Sequence, residues 1–227
     1  MIKEVLFYLV VLCGTTYQLE AQSARYVATM EKNLSMLDTA RNMNTLTKLS
    51  NTFERIAQAE TEEWLPNYYA AYAHFRLATV YVQQEDMANC LAHIDKAQEA
   101  LDQAIALEGQ HSELLALQGL IYQGRIWENP MVKGAEYSPK SHAVLDQAIA
   151  LDPNNPRAYF LKGQNVFYTP EFFGGGAENA KPLLEKAAAL FASTKAESSI
   201  APNWGEKTNT YLLSSANEKL NKDATKN

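Results

Sequence analysis

A seven-residue segment that occurs twice constrains the fold of this chain more than any other feature. The heptad LDQAIAL stands at residues 101–107 and again, with all seven residues identical, at residues 145–151. Each copy is followed, twelve residues after its end, by a glycine, Gly119 or Gly163. A weaker third copy, LEKAAAL, stands at residues 184–190. Because the apolar residues of each copy recur at helical spacing, the heptad predicts a repeated helical unit.

Helical patterns continue through nearly the whole chain after residue 24, and prolines and glycines interrupt them. No alternating run of β-branched residues and no Asn-Gly hairpin signal is present, so the predicted fold is all-α. The predicted helices cover residues 25–40, 43–60, 66–83, 87–107, 112–127, 139–151, 156–168, 179–195 and 203–220.

The residues around the heptads resemble a known helical repeat. Small, apolar and aromatic residues recur there at a regular spacing. They are Ala97, Leu101, Ala104, Leu115, Gly119, Tyr122, Ser141, Leu145, Ala148, Pro153, Tyr159, Gly163, Trp204 and Tyr211. Their spacing is similar to that of the tetratricopeptide repeat, a helix–turn–helix unit of about 34 residues. The resemblance covers residues 85–215. It implies an α-solenoid of antiparallel helix pairs with about four units, in which the two glycines let paired helices approach closely.

The chain departs from the regular repeat at three connections. The two identical heptads begin 44 residues apart, and the excess falls in residues 127–140, which we predict to form a long turn. Further insertions fall in residues 169–176 and near residues 193–201. We interpret Gly174–Gly176 as a joint between helices, since it lacks the spacing of a phosphate-binding loop. We predict that Asn179 caps the following helix. For Phe172 and Phe173 two placements remain open, packing in the core or facing a ligand, and we favour the core.

The N-terminal residues form a separate segment. The apolar run at residues 5–13 is shorter than the roughly 20 residues that span a membrane, and it predicts a signal peptide over residues 1–21 with cleavage after Ala21. The protein is therefore expected to be secreted or periplasmic, with lipid attachment at Cys13 as an alternative. Residues 22–60 are predicted to be capping helices, and residues 61–227 the repeat domain.

Several function classes lack support in the sequence. The net charge of −6 argues against a nucleic-acid partner, and Cys90 lies on an apolar stripe typical of a buried hydrophobic residue. The four histidines, His74, His93, His111 and His142, have no metal-ligand spacing, and no nucleophile motif is present. The sequence predicts no cofactor, no metal and no catalysis.

Binding is the predicted function, through the concave face that the tetratricopeptide resemblance implies. Residues assigned to that face by spacing are Asn67, His74, Glu113, Leu120, Gln123, Arg157, Phe160, Gln164, Phe167, Tyr168 and Asn209. We predict a scaffold that binds a protein or peptide partner. The alternative is a periplasmic accessory protein of a transporter that binds a small solute, similar to tetratricopeptide-like proteins associated with TRAP transporters.

Overall fold

The computed structural model describes residues 24–225, and every regular element in that range is helical. The first helix, α1, is described over residues 24–39. The other eight are α2 (Met43–Ala59), α3 (Leu65–Gln83), α4 (Met87–Glu108), α5 (Ser112–Arg125), α6 (Pro130–Leu151), α7 (Pro156–Tyr168), α8 (Ala177–Ser193) and α9 (Glu206–Ala224). The all-α prediction is confirmed for these residues. The predicted signal peptide, with its cleavage after Ala21 and the alternative anchor Cys13, lies outside them.

Side-chain caps lie at the N-terminal ends of several helices, and for α4 and α7 these ends are at the predicted residues. The carboxylate of Asp86 accepts a hydrogen bond from the backbone N–H of Asn89 at 3.1 Å and caps α4. Asn155 likewise accepts from the N–H of Arg157 at 2.9 Å and caps α7, with Pro156 in the first helical position. These caps satisfy N–H groups that have no partner within the helix, which fixes the point where each helix begins.

The long turn predicted over residues 127–140 is wrong, because α6 begins at Pro130. The side chain of Asn129 caps this helix by accepting from the N–H of Val132 at 3.3 Å. Pro139, which we interpreted as a helix start, lies inside α6. The neighbouring carbonyl of Ser138 accepts a hydrogen bond from the Asn165 amide on α7 at 3.0 Å. Most of the extra residues between the two heptads therefore lie in the N-terminal part of α6, and they do not form a wide turn.

Two glycines let paired helices approach, as predicted. A Cβ atom added at Gly119 would lie 2.7 Å from the side chain of Leu145, which is on α6. A Cβ atom added at Gly163 would lie 2.7 Å from the side chain of Leu184, which is on α8. Both leucines are fully buried. Each repeated segment therefore builds the same joint, a glycine of one helix facing a leucine of the next.

The helices pack on their sequence neighbours and also on alternate helices. Each of α2 to α8 contacts the next helix, and α3 also contacts α5, α5 contacts α7, and α7 contacts α9. Cys90 is buried, as predicted. Within residues 24–225, no helix combines the length and the apolar character that crossing a membrane requires. The division between capping helices and a repeat domain at residue 60 stays a prediction.

Candidate functional site

The residues predicted to line a binding face fall into two groups. Nine of them separate into a buried set of six and a more accessible set of three. Buried are Asn67, His74, Gln123, Arg157, Phe160 and Asn209, whereas Gln164 and Phe167 are half-buried and Tyr168 is exposed. Most of the buried set are engaged with other protein groups. Their binding role stays a prediction, and their burial favours a structural role.

Arg157 illustrates the buried set. Its Nε and Nη2 atoms each donate a hydrogen bond of 2.6 Å to the two carboxylate oxygens of Glu113 on α5. Burial lowers the pKa of Arg157, but the charge and hydrogen bonds of Glu113 outweigh it, and the pKa is raised overall. Both side chains are about nine-tenths buried. The bidentate pair satisfies both charges and ties α7 to α5.

The connection between α8 and α9 explains much of this burial. We call residues 194–205 the strap, because they run from α8 across to α3 before α9 begins. The Tyr69 hydroxyl donates to the carbonyl of Ile200 at 2.9 Å. The indole ring of Trp204 stacks on Tyr72 with 4.4 Å between ring centroids, and its Nε1–H donates to the Tyr68 hydroxyl at 2.9 Å. The strap thus occupies part of the face that the sequence predicts to be open.

The strap also corrects the predicted start of the last helix. We expected a helix from residue 203 with Trp204 inside it, but α9 begins at Glu206 after Gly205. Gly205 has a φ of 108° and lies against Phe160 and Phe191, where an added Cβ atom would be 3.2 Å and 3.1 Å from their rings. The positive φ turns the chain sharply between the anchored indole and the helix.

Amide side chains fix α7 and α9 in a similar way. Gln123 on α5 donates to the hydroxyl of Ser141 at 3.1 Å and to the carbonyl of Leu161 at 2.9 Å. Gln164 donates to the side-chain oxygen of Gln123 at 2.8 Å. Asn209 donates to the carbonyl of Leu184 at 3.0 Å. These amides connect backbone and side chains of neighbouring helices, and the buried ones, Gln123 and Asn209, present little surface to a ligand.

A cavity of about 630 Å³ lies between the strap and the first turns of α3, α5 and α7. Its volume is in the range of small-molecule sites. Trp64, His111 and Phe191 contribute rings to its wall. Besides His111, the ionisable side chains in its lining are four carboxylates and two cations, namely Glu113, Asp152, Glu197, Glu206, Arg157 and Lys195. Since Arg157 is already paired with Glu113, the rest of the lining is predominantly acidic.

Five aromatic rings form a second candidate site at the opposite end of α7. The aromatic surface comprises Phe167, Tyr168, Phe172, Phe173 and Tyr211. Phe172 is 91% exposed, Phe173 74%, Tyr168 68% and Tyr211 67%. The rings of Phe167 and Tyr168 are 5.2 Å apart, as are those of Phe172 and Phe173. Burial raises the pKa of Tyr168, and Tyr211 on α9 adds to the shift. Exposed apolar clusters of this kind mark interaction sites in soluble proteins.

A glycine turn holds two of these rings away from the core, and the prediction that Phe172 and Phe173 are core residues is wrong. Gly174 and Gly176 have φ angles of 81° and 92°, a region that glycine tolerates without steric cost. A Cβ atom added at Gly175 would lie 1.9 Å from the carbonyl oxygen of Thr169, so only glycine fits there.

The end of the same turn also differs from the prediction. The helix cap expected at Asn179 is wrong, because α8 begins at Ala177 with Gly176 at the cap position. Asn179 instead donates to the carbonyls of Gly174 and Gly175, both at 3.2 Å, and braces the turn. An ion pair between Glu171 and Lys219 at 2.8 Å ties the turn to α9. Two residues of the aromatic surface, Phe172 and Phe173, are therefore carried by a turn that these contacts hold in place.

The structure brings together two histidines that are far apart in sequence. The Nδ1 atoms of His74 on α3 and His93 on α4 lie 3.0 Å apart, and Nε2 of His74 lies 2.8 Å from the Glu54 carboxylate. Neutral His74 satisfies both contacts by donating to Glu54 and accepting from His93. Burial lowers the pKa of His74, and burial and His74 lower the pKa of His93 to about 4. In the part of the chain that the structure describes, no group of three or more His, Cys, Asp or Glu side chains is arranged to hold a metal ion.

Comparison with solved structures finds a similar protein over most of the chain. The chain is similar to the solved structure of the HusA haemophore from Porphyromonas gingivalis, with 31% sequence identity and a TM-score of 0.75. The alignment covers 86% of this chain and 94% of the haemophore chain. No protein-family model matches the chain, and no curated protein matches it. The tetratricopeptide resemblance accordingly stays a prediction, while similarity to a binding protein is established over most of the chain.

Proposed function

Because this chain belongs to the family of the HusA haemophore, we propose that it is a non-catalytic protein that binds haem. The observation that carries the proposal is the similarity to a haemophore over nearly the full length of both chains. Of the two functions predicted from the sequence, this proposal develops the alternative, binding of a small solute, and names haem as that solute. It makes a scaffold for a protein or peptide partner the weaker hypothesis. Export by the predicted signal peptide agrees with a protein that captures haem outside the cytoplasm.

We place the haem on the aromatic surface. The macrocycle of haem is flat and apolar, and flat aromatic rings stack on such a ligand with favourable offset or edge contacts. Phe172 and Phe173 present their rings to solvent and are not needed to fill the core. Tyr168 and Tyr211 add hydroxyl groups beside the same surface. Of the binding residues predicted from the sequence, Phe167 and Tyr168 belong to this proposed site, and half-buried Gln164 lies one helical turn before Tyr168.

The cavity beside the strap is less suited to haem on electrostatic grounds. Haem carries two carboxylates, and the unpaired part of the cavity lining is predominantly acidic. Like charges in a partly enclosed site repel strongly, because the effective dielectric constant there is lower than in water. On the aromatic surface, the carboxylates of a stacked haem can remain in water while the macrocycle is covered.

The architecture proposed from the sequence agrees with this placement. Contacts between α3 and α5, α5 and α7, and α7 and α9 support a tetratricopeptide-like solenoid in which these helices share one face. Tyr168 and Tyr211 then lie at the same edge of that face, on neighbouring alternate helices. The strap fills the other edge, which leaves the aromatic surface as its accessible part.

Haem titration followed by absorbance and by tryptophan fluorescence tests the proposal. We expect wild-type protein to bind haem, and we expect the double variant Phe172→Ala/Phe173→Ala to bind about tenfold or more weakly, because each ring contact is worth about 0.5–1.5 kcal/mol. The matched control is Met131→Ala/Val132→Ala, which removes two exposed apolar side chains at the start of α6. This control should bind haem with unchanged affinity.

Two results would contradict the proposal at different levels. Failure of the wild-type protein to bind haem rejects the function itself. A cavity variant, Leu151→Trp, separates the two sites, since Leu151 lines the cavity beside the strap. If haem affinity falls with this variant and is unaffected by loss of the two phenylalanines, the ligand lies in the cavity and the aromatic surface is the wrong site.

A further inference from the structure

A smaller cavity, of about 300 Å³, lies between α2 and α4 and against the first turn of α3. Both outer helices pack on α3, and Ala57 on α2 and Ala100 on α4 contribute small side chains to the walls. The volume is at the lower end of the range of small-molecule sites, which is about 300–1,000 Å³. The smaller cavity therefore suits a ligand much smaller than haem.

Asn67, in the first turn of α3, is a buried amide that lines the smaller cavity. It is 7% exposed, and its side chain forms no hydrogen bond within residues 24–225. Every other buried amide in that range is bonded to a protein group. These are Gln118, Gln123, Asn155, Asn165 and Asn209. Since a buried polar group without a hydrogen bond is unfavourable, the Asn67 amide is placed to bind a ligand in the cavity.

Three charged side chains line the smaller cavity beside this amide, namely Glu54, Lys96 and Glu99. Lys96 and Glu99 are exposed on one face of α4, and neither is in an ion pair in the described part of the chain. Glu54 on α2 places one carboxylate oxygen 2.8 Å from Nε2 of His74. Because neutral His74 donates that hydrogen bond, the negative charge of Glu54 is not cancelled. The lining therefore offers two negative charges, one positive charge and a neutral amide.

We propose that the smaller cavity binds a free basic amino acid, such as lysine or arginine. At neutral pH such a ligand carries two positive charges and one negative charge, which is the complement of the lining. Its two cationic groups pair with Glu54 and Glu99, and its carboxylate pairs with Lys96. The Asn67 amide both donates and accepts, so it bonds to the carboxylate and the α-ammonium group of the ligand. The site is separate from the aromatic surface, and the inference does not depend on haem binding.

Isothermal titration calorimetry of the full chain with L-lysine, L-arginine and two analogues of lysine tests the ligand class. L-norleucine keeps the amino-acid group and lacks the side-chain ammonium, whereas cadaverine keeps both ammonium groups and lacks the carboxylate. We expect both basic amino acids to bind, and each analogue to bind about tenfold or more weakly than lysine, because each lacks one charged hydrogen-bonding group. If neither basic amino acid binds, or if either analogue binds as tightly as lysine, the inference is overturned.

The variant Asn67→Leu separates binding from a structural role. Leucine is similar in size and shape and has no amide, so we expect lysine to bind about tenfold more weakly. Because the amide has no protein partner to lose, the urea midpoint should stay the same or rise. Lys96→Met and Glu99→Gln should each weaken lysine binding by about tenfold, and they serve if Asn67→Leu folds poorly. The control Lys32→Met removes an exposed lysine of α1 and should bind lysine like the wild-type protein.

The outcomes separate this site from the haem site. If Asn67→Leu lowers the urea midpoint and leaves lysine affinity unchanged, Asn67 is a structural residue and the inference is rejected. Unchanged affinity in both Lys96→Met and Glu99→Gln also rejects it, since lysine would then bind elsewhere. A wild-type protein that binds lysine and no haem supports this site and rejects the proposed function, and one that binds haem but neither basic amino acid does the reverse.

Discussion

The two ends of α7 differ in environment although the sequence predicts one continuous binding face along the helix. At the N-terminal end, Arg157 is buried in a bidentate pair with Glu113 and lies beneath the strap. At the C-terminal end, Tyr168 is exposed and leads into the turn that carries Phe172 and Phe173. Residues at the spacing expected of one binding face can therefore differ in role. The strap, which is distant in sequence, covers the N-terminal end of α7 and makes its residues structural, whereas the C-terminal end stays accessible to a ligand.

The largest expected effect lies at the buried end. We expect Arg157→Ala to lower the free energy of unfolding by about 3–5 kcal/mol, because it leaves the Glu113 carboxylate buried without its partner. Urea denaturation followed by circular dichroism measures this loss. The control is Tyr168→Ala at the exposed end, for which we expect a change within about 0.5 kcal/mol. If Arg157→Ala and Tyr168→Ala lowered the free energy of unfolding equally, the two ends of α7 would not differ in the way described.

The middle of α7 should respond with a smaller loss. We expect Gly163→Ala to lower the free energy of unfolding by about 1–3 kcal/mol, because the new methyl group would overlap the buried Leu184 side chain. Gly134→Ala in α6 is a matched control, since the nearest atom to its added Cβ is 4.0 Å away. That control should stabilise the protein by about 0.5–1 kcal/mol through higher helix propensity. If Gly163→Ala were as stable as the wild-type protein in urea denaturation, the contact between Gly163 and Leu184 would be looser than described.

Acid should lower the free energy of unfolding through the pair formed by His74 and His93. The pKa values of His74 and His93 are lowered in the folded protein, so the unfolded chain takes up protons first as the pH falls. Stability that is fully present above pH about 6.5 is therefore lost towards pH about 4. We expect a loss of about 1–2 kcal/mol, since each unit of pKa shift corresponds to about 1.4 kcal/mol and solvent screens the partly exposed His93 ring.

Urea denaturation between pH 7 and pH 4.5 measures this acid effect. The variant His93→Gln removes one of the two titrating rings, so its stability should fall less over the same pH range than that of the wild-type protein. A pH dependence that is identical in both proteins would show that the histidine pair is not its source.

The helices and their joints could be predicted from sequence because their signals are local. The heptads, Gly119 and Gly163 follow from periodicity, and among α2 to α9 seven of the eight predicted helices begin within about three residues of the observed starts. The early start of α6 was also readable, since Asn129 followed by Pro130 is a favourable helix start. The prediction instead begins this helix at Pro139, because a proline inside a helix removes a backbone hydrogen bond and is unfavourable there.

The candidate site could not be predicted in the same way because it depends on contacts between distant residues. No local pattern shows that Trp204 reaches Tyr72, or that His74 meets His93 across two helices. Phe172 and Phe173 contradict the general tendency of phenylalanine to be buried. The glycines beside them indicated a turn, but the side on which the turn presents its rings is a property of the assembled helices.

The hydrogen bond from Tyr69 to Ile200 joins residues that are 131 positions apart, and it has a consequence for how the chain folds. Stacked helices that touch only nearby elements can form and melt one unit at a time, from either end. Here the strap closes a loop that contains most of the protein, and contacts of such large sequence separation slow folding. We expect the closure to form late and to make the melting of α3 and α9 a shared, cooperative event, so that these two distant helices lose their structure together.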